Sequence, residues 1–122
     1  MSEQMHAAVL HGLGQVPRYE PFAVPAAADG AAVVTVTAAA LKLSDRLMAA
    51  GTHYAPASFP AVAGLDGVGR LADGRRVAFF APVPPYGAMA EQALVRDGVW
   101  FRLPDGADDV TAAAAPRPAR MT

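Results

Sequence analysis

The chain contains no cysteine, and lysine occurs once in its 122 residues, at Lys42. Without thiols there is neither a disulfide framework nor a thiolate metal centre, and such a composition suits a reducing compartment. Aromatic residues make up 7% and charged residues 17%, with a formal net charge of −1. No strongly charged face is therefore implied for nucleic acid or an anionic membrane. No segment approaches the roughly 20 apolar residues that cross a bilayer as a helix. The opening Met1-Ser2-Glu3-Gln4 lacks the basic-then-apolar order of a secretory signal. Together these absences give the expectation of a cytoplasmic protein without nucleic-acid or membrane partners.

What is present suits one domain. Apolar residues reach 53%, but many are alanine, so large core-filling side chains are scarcer than that figure suggests. Residues 5–10 form a short apolar run fit for a first strand, and Val33-Val34-Thr35-Val36-Thr37 is β-branched throughout, as a pleated surface favours. Ser44-Asp45-Arg46-Leu47-Met48-Ala49-Ala50-Gly51 reads as a short helix, with Ser44 or Asp45 capping its start and Gly51 closing it. Residues 68–71 and 76–80 flank Asp73-Gly74, a hairpin signal. Residues 87–95 and 99–103 read as two more strands, and a last helix starts among Asp108, Asp109 and the alanines that follow. Many short strands broken by glycine and proline predict a mainly β fold, a barrel or sandwich with one or two short helices. The tail, residues 116–122, is polar and proline-broken and is expected to be disordered.

Residues 38–69 carry the most specific pattern. They read Ala38-Ala39-Ala40-Leu41-Lys42-Leu43-Ser44-Asp45, then Gly51-Thr52-His53-Tyr54, then Gly64-Leu65-Asp66-Gly67-Val68-Gly69. These spacings resemble the catalytic domain of the medium-chain dehydrogenases/reductases. In zinc members a cysteine stands three residues before the acid matched by Asp45, and a histidine between the glycine and acid matched by Gly64 and Asp66. Here those places hold Lys42 and Leu65. The resemblance is therefore to the zinc-free branch, the quinone oxidoreductases and enoyl reductases. Ala7-Ala8-Val9-Leu10, Gly74-Arg75-Arg76-Val77, Tyr86-Gly87-Ala88-Met89-Ala90-Glu91 and Leu103-Pro104-Asp105-Gly106 resemble further family passages in the same order. The likeness covers residues 5–115, and it implies that residues 1–115 form one GroES-like domain, a distorted and partly open β-barrel.

The resemblance also implies what lies outside that domain. Relatives continue into a doubly wound domain whose glycine-rich turn binds the pyrophosphate of NADPH. No such turn occurs here. Gly12-Leu13-Gly14-Gln15-Val16-Pro17 has two glycines at the right spacing, but Pro17 stands inside the pattern and no third glycine follows. The expectation is NADPH in an intact relative, none bound by this chain alone, and no zinc. Truncation, a frameshift, engineering or a genuine single-domain protein each fit that reading.

Within the pattern, Lys42 has two readings. Its ammonium could occupy the place of the metal, neutralised by Asp45 or Asp66, and donate a hydrogen bond to a substrate carbonyl. The plainer reading is a solvent-facing or structural lysine. Ser44 matches a hydroxyl that relays a proton in alcohol-oxidising relatives, and equally suits a helix cap. Tyr54 could stack on a quinone or protonate an enolate, or merely close a loop. Asp45, Leu65 and Asp66 complete the expected cleft. His6, His11 and His53 have no metal-ligand spacing. The resulting expectation is the catalytic portion of an NADPH-dependent reductase of a quinone or enone, inactive by itself. The alternatives are a non-enzymatic binding module and half of a split enzyme with a separate Rossmann-domain partner. An exposed apolar face, and with it homo-oligomerisation, is expected where a second domain would sit.

Overall fold

The computed structural model describes residues 3–51 and 55–114, without the side chains of Leu43, Ser44 and Met48. The expectations placed on His53, Tyr54 and residues 116–122 lie outside the described residues. Strand β1 (Gln4–Leu10) alternates as a half-buried strand should, with Met5, Ala7 and Val9 inward. It pairs antiparallel with β2 (Arg18–Ala23) on one side and β4 (Ala61–Val62) on the other, giving a three-stranded sheet.

The second sheet has five strands, in the order β7 (Gln92–Arg96), β3 (Ala31–Ala39), β5 (Asp66–Arg70), β6 (Arg76–Phe80) and β8 (Trp100–Arg102), every pair antiparallel. The sheets curl into a partly open barrel. Val34, Val77, Phe79 and Val95 fill one part of its interior, with Trp100 packed against them. Leu10, Leu65 and Phe80 fill another, beside helix α1 (Leu43–Ala50). Helix α2 (Asp109–Ala114) seats Ala113 against Val68, Ala78 and Leu103.

Most expected elements are present, and three differ. β2 reads Arg-Tyr-Glu-Pro-Phe-Ala and buries no residue fully, so it carries no inward-outward apolar rhythm, and Pro21 suits only an edge strand. The single strand expected over residues 87–95 is shorter. Ala88 and Met89 instead donate to the Gly64 and Ala63 carbonyls, 3.0 and 2.9 Å away, and regular pairing begins at Gln92. The helix expected from Ser44 begins one residue earlier, at Leu43, so neither Ser44 nor Asp45 is its flanking residue. Gly51 does close it, at φ +83°, the left-handed conformation that glycine adopts without penalty. No helix among the described residues is long and apolar enough to cross a membrane.

Candidate functional site

Two chain segments meet beside α1. The first is the turn into the helix, Leu41-Lys42-Leu43, and the second is Gly64-Leu65-Asp66, which runs into β5. Asp45, in the first helical turn, joins them. One carboxylate oxygen accepts the Lys42 backbone N–H at 2.7 Å and the other accepts the Leu65 backbone N–H at 3.0 Å. The first bond is the reach-back half of a capping box, with Lys42 as the flanking residue. Asp45 is 7% exposed. Burial raises its carboxyl pKa above the ordinary value, while the Lys42 and Leu65 N–H groups pull the other way.

With the two backbones tied, the side chains of the residues they carry face each other. Lys42 Nζ lies 2.5 Å from Asp66 Oδ2, the lysine side chain 27% and the aspartate 12% exposed. Of the two acids expected to neutralise Lys42, Asp66 takes the ammonium and Asp45 takes backbone groups. Asp66 Oδ1 is buried without a hydrogen bond among the described residues. A buried acceptor left unpaired costs about 1–3 kcal/mol. On its other side this segment packs closely on residues 88–89 and needs glycine at position 64: at φ +102°, a Cβ there would stand 2.8 Å from the Met89 nitrogen.

The other expected residues separate. Leu65 is buried in the core beside Leu10 and Phe80, on the wall of a neighbouring cavity. Ser44 is the second residue of α1, two positions after Lys42, its side chain undescribed, and Tyr54 is outside the described residues. His6 stacks on Tyr19, with ring centroids 5.1 Å apart, and lies 3.8 Å from Glu91, while His11 bonds to Glu20. His6 lies in β1 and His11 just past its end, bonded to Glu20 of β2. Among the described residues no three His, Cys, Asp or Glu side chains converge as metal ligands.

A second ionic cluster is poorly visible in the sequence. Arg76 Nε donates to Asp109 Oδ1 at 3.0 Å, its Nη2 bonds the same oxygen and the Ala107 carbonyl, and Asp109 Oδ2 lies 2.8 Å from the Thr37 hydroxyl. A shift in the β3–β5 register between Val36 and Ala38 accompanies this placement of Thr37. The family-like Gly74-Arg75-Arg76-Val77 marks Arg76, but its partner is 33 residues further along the chain.

NADPH is the cofactor that such a fold implies, and the described residues do not by themselves fit it. Its phosphates call for a glycine-rich turn or an open helix N-terminus. The first turn of α1 is taken by the Asp45 carboxylate, and that of α2 by Asp108, whose carboxylate accepts the Thr111 N–H at 3.0 Å. Gly12 to Pro17 forms a turn between β1 and β2, not the start of a helix.

No family model and no curated protein matches the chain. Solved structures do. The quinone oxidoreductase from Thermus thermophilus, whose complex with NADPH is also known, is 34% identical with a TM-score of 0.80, the match covering 92% of this chain and 37% of that one. A human synaptic vesicle membrane protein VAT-1 homolog-like protein is 29% identical with a TM-score of 0.82, over 94% of this chain and 40% of its own. A probable oxidoreductase from Mycobacterium abscessus is 26% identical with a TM-score of 0.81, over 92% and 39%. The chain thus spans about two fifths of the length of each. By fold, motif spacing and these matches, it resembles the GroES-like domain of medium-chain dehydrogenases/reductases of the quinone oxidoreductase kind.

Proposed function

We propose that this domain forms the substrate-polarising side of an NADPH-dependent reductase acting on a quinone or an enone, and that it works without zinc. The observation that carries the reading is the Lys42–Asp66 pair, held by Asp45, at positions that the resemblance matches to the metal surroundings of zinc relatives. Reduction of a conjugated carbonyl places negative charge on its oxygen. An ammonium carries three N–H donors, and a fixed one beside that oxygen stabilises the charge as it forms. Asp66 holds the lysine side chain in place, and Asp45 fixes the backbones on which both are carried. An ammonium paired in this way repels a divalent cation, and Leu65 offers no ligand atom, which supports metal independence.

Ser44 and Tyr54 are the proposed companions, the hydroxyl as a proton relay and the phenol as a stacking or proton-donating group. The nicotinamide and most nucleotide contacts belong to a separate Rossmann-type unit. The domain alone does not turn over, because donor and acceptor are not held together. A cytoplasmic location, and association with such a unit or with further copies of this chain, complete the proposal.

The test is a chimera in which residues 3–114 replace the matching part of the Thermus thermophilus quinone oxidoreductase. NADPH oxidation with 1,4-benzoquinone is expected from the chimera and not from the 122-residue chain. Lys42→Met in the chimera should lower kcat by about 10²-fold while the melting temperature stays close to that of the parent. Equal turnover with methionine would remove Lys42 from the chemistry.

A further inference from the structure

Beside the Lys42–Asp66 pair, and separate from it, a cavity of about 300 Å³ opens between residues 55–57 and the loop 81–86. Its walls are nearly all apolar, with Pro56, Leu65, Pro82 and Pro84 among them, and only Tyr86 and Arg96 bring polar side-chain groups to it. Among the described residues no acidic side chain lines it. Among the described residues, neither the Arg96 guanidinium nor the Tyr86 hydroxyl makes a hydrogen bond or ion pair.

The loop that forms one wall is fixed at several points. Ala81 donates to the Leu65 carbonyl at 2.7 Å, Val83 to the Leu94 carbonyl at 2.7 Å, and Val62 to the Pro85 carbonyl at 2.8 Å. The Tyr86 ring packs edge-on against Phe22, with centroids 6.0 Å apart. Prolines limit its freedom further. A ligand entering this cavity would order little that is not already ordered, which favours binding.

We propose that the cavity binds a small carboxylic acid with a planar apolar body. The apolar walls suit a ring and give sugars or peptides nothing to bond. The single cation, with no acid opposite, calls for one negative charge, and a guanidinium fork matches a carboxylate with two parallel hydrogen bonds. Tyr86 supplies a second donor. An inorganic anion would meet the cation alone and gain nothing from the walls. The volume lies at the small end of ligand sites, enough for one ring and a short chain. The cavity adjoins the expected cleft through Leu65, but neither Lys42 nor Asp66 lines it, so carboxylate binding here does not depend on the lysine chemistry.

The ¹⁵N-labelled chain should be titrated at neutral pH with sodium cinnamate and, separately, with its neutral isostere cinnamamide, following the backbone amides. Cinnamate is expected to shift the amides of Leu65, Ala81, Tyr86 and Arg96. Cinnamamide, and cinnamate with Arg96→Gln, should bind about 10- to 100-fold more weakly. Arg96 is exposed, so the variant's own spectrum should show an intact fold. Equal binding of acid and amide, or no effect of Arg96→Gln, would leave an apolar cavity with no carboxylate site. Absence of shifts at those amides would remove the site altogether.

Discussion

Two short helices are fastened to the barrel by aspartates, and the two fastenings differ in kind. At α2, Asp109 has both oxygens engaged by charged or hydroxyl partners, Arg76 and Thr37, at a partly exposed surface. At α1, Asp45 is buried and meets only backbone N–H groups, while the adjacent Asp66 faces a single lysine with one oxygen left unpaired. The α2 cluster is what a structural clasp needs: every acceptor answered, with Arg76 also reaching the Ala107 carbonyl. The α1 cluster leaves a charged pair and, among the described residues, an unanswered acceptor at the site proposed above for substrate. Unsatisfied buried groups persist where something besides stability maintains them.

Asp45→Ala breaks the first fastening and should have the largest effect. Two buried N–H groups lose their acceptor, so the expected loss is about 3 kcal/mol in urea unfolding. The same pair of aspartates should also diverge with pH. Burial raises the Asp45 pKa, so above the ordinary aspartate value the folded state holds a proton that the unfolded chain has already released. Stability from this group therefore falls as pH rises through that window. Asp109 is lowered by Arg76 and then by Thr37, so its contribution is present above the ordinary value and is lost as pH falls through the folded one. Asp109→Asn should flatten the acid-side loss of stability and Asp45→Asn should steepen it. Changes of the same sign in both variants would show the two fastenings to be alike.

Arg76→Ala breaks the second. The pair is partly exposed, at 19% and 26%, so solvent screening limits the expected loss to about 1–2 kcal/mol. Hydrogen exchange should rise in α2 well before it rises in β5 or β6. Arg76→Lys should recover little, because a single ammonium cannot serve Asp109 and the Ala107 carbonyl with one fork. Uniform exchange across the barrel would mean that Ala113 packing, not the clasp, holds α2.

The sequence discloses these regions unequally, for physical reasons. The β1 and β3 strands, the Asp73-Gly74 turn and the Gly51 stop are local signals, and each is present. β2 is missed because an edge strand with no fully buried residue shows little apolar rhythm to read. Lys42, Asp45 and Asp66 stand out through family spacing, and the exchange of metal ligands for Lys42 and Leu65 is visible in the letters alone. Which acid takes the ammonium is not visible. It depends on α1 starting at Leu43, which turns Asp45 back toward its own helix start. Asp109 meets Arg76 only through the fold, across 33 residues, and Arg96 and Tyr86 share a cavity that no local pattern announces.

The smallest expected effect bears on how much strain the α1 side carries. Ala81 is a non-glycine residue at φ 52°, and its N–H donates to the Leu65 carbonyl, directly behind the segment that Asp45 holds. A left-handed alanine costs about 1 kcal/mol relative to glycine, partly offset by the greater unfolded-state freedom that glycine brings. Ala81→Gly should therefore stabilise the fold by about 0.5 kcal/mol, read as a shift in the urea midpoint at constant slope. Among the described residues α2 has no positive-φ counterpart, so this gain belongs to one side of the comparison. A loss on substitution would mean that the alanine methyl packs well enough against the Leu10, Leu65 and Phe80 cluster to outweigh the strain.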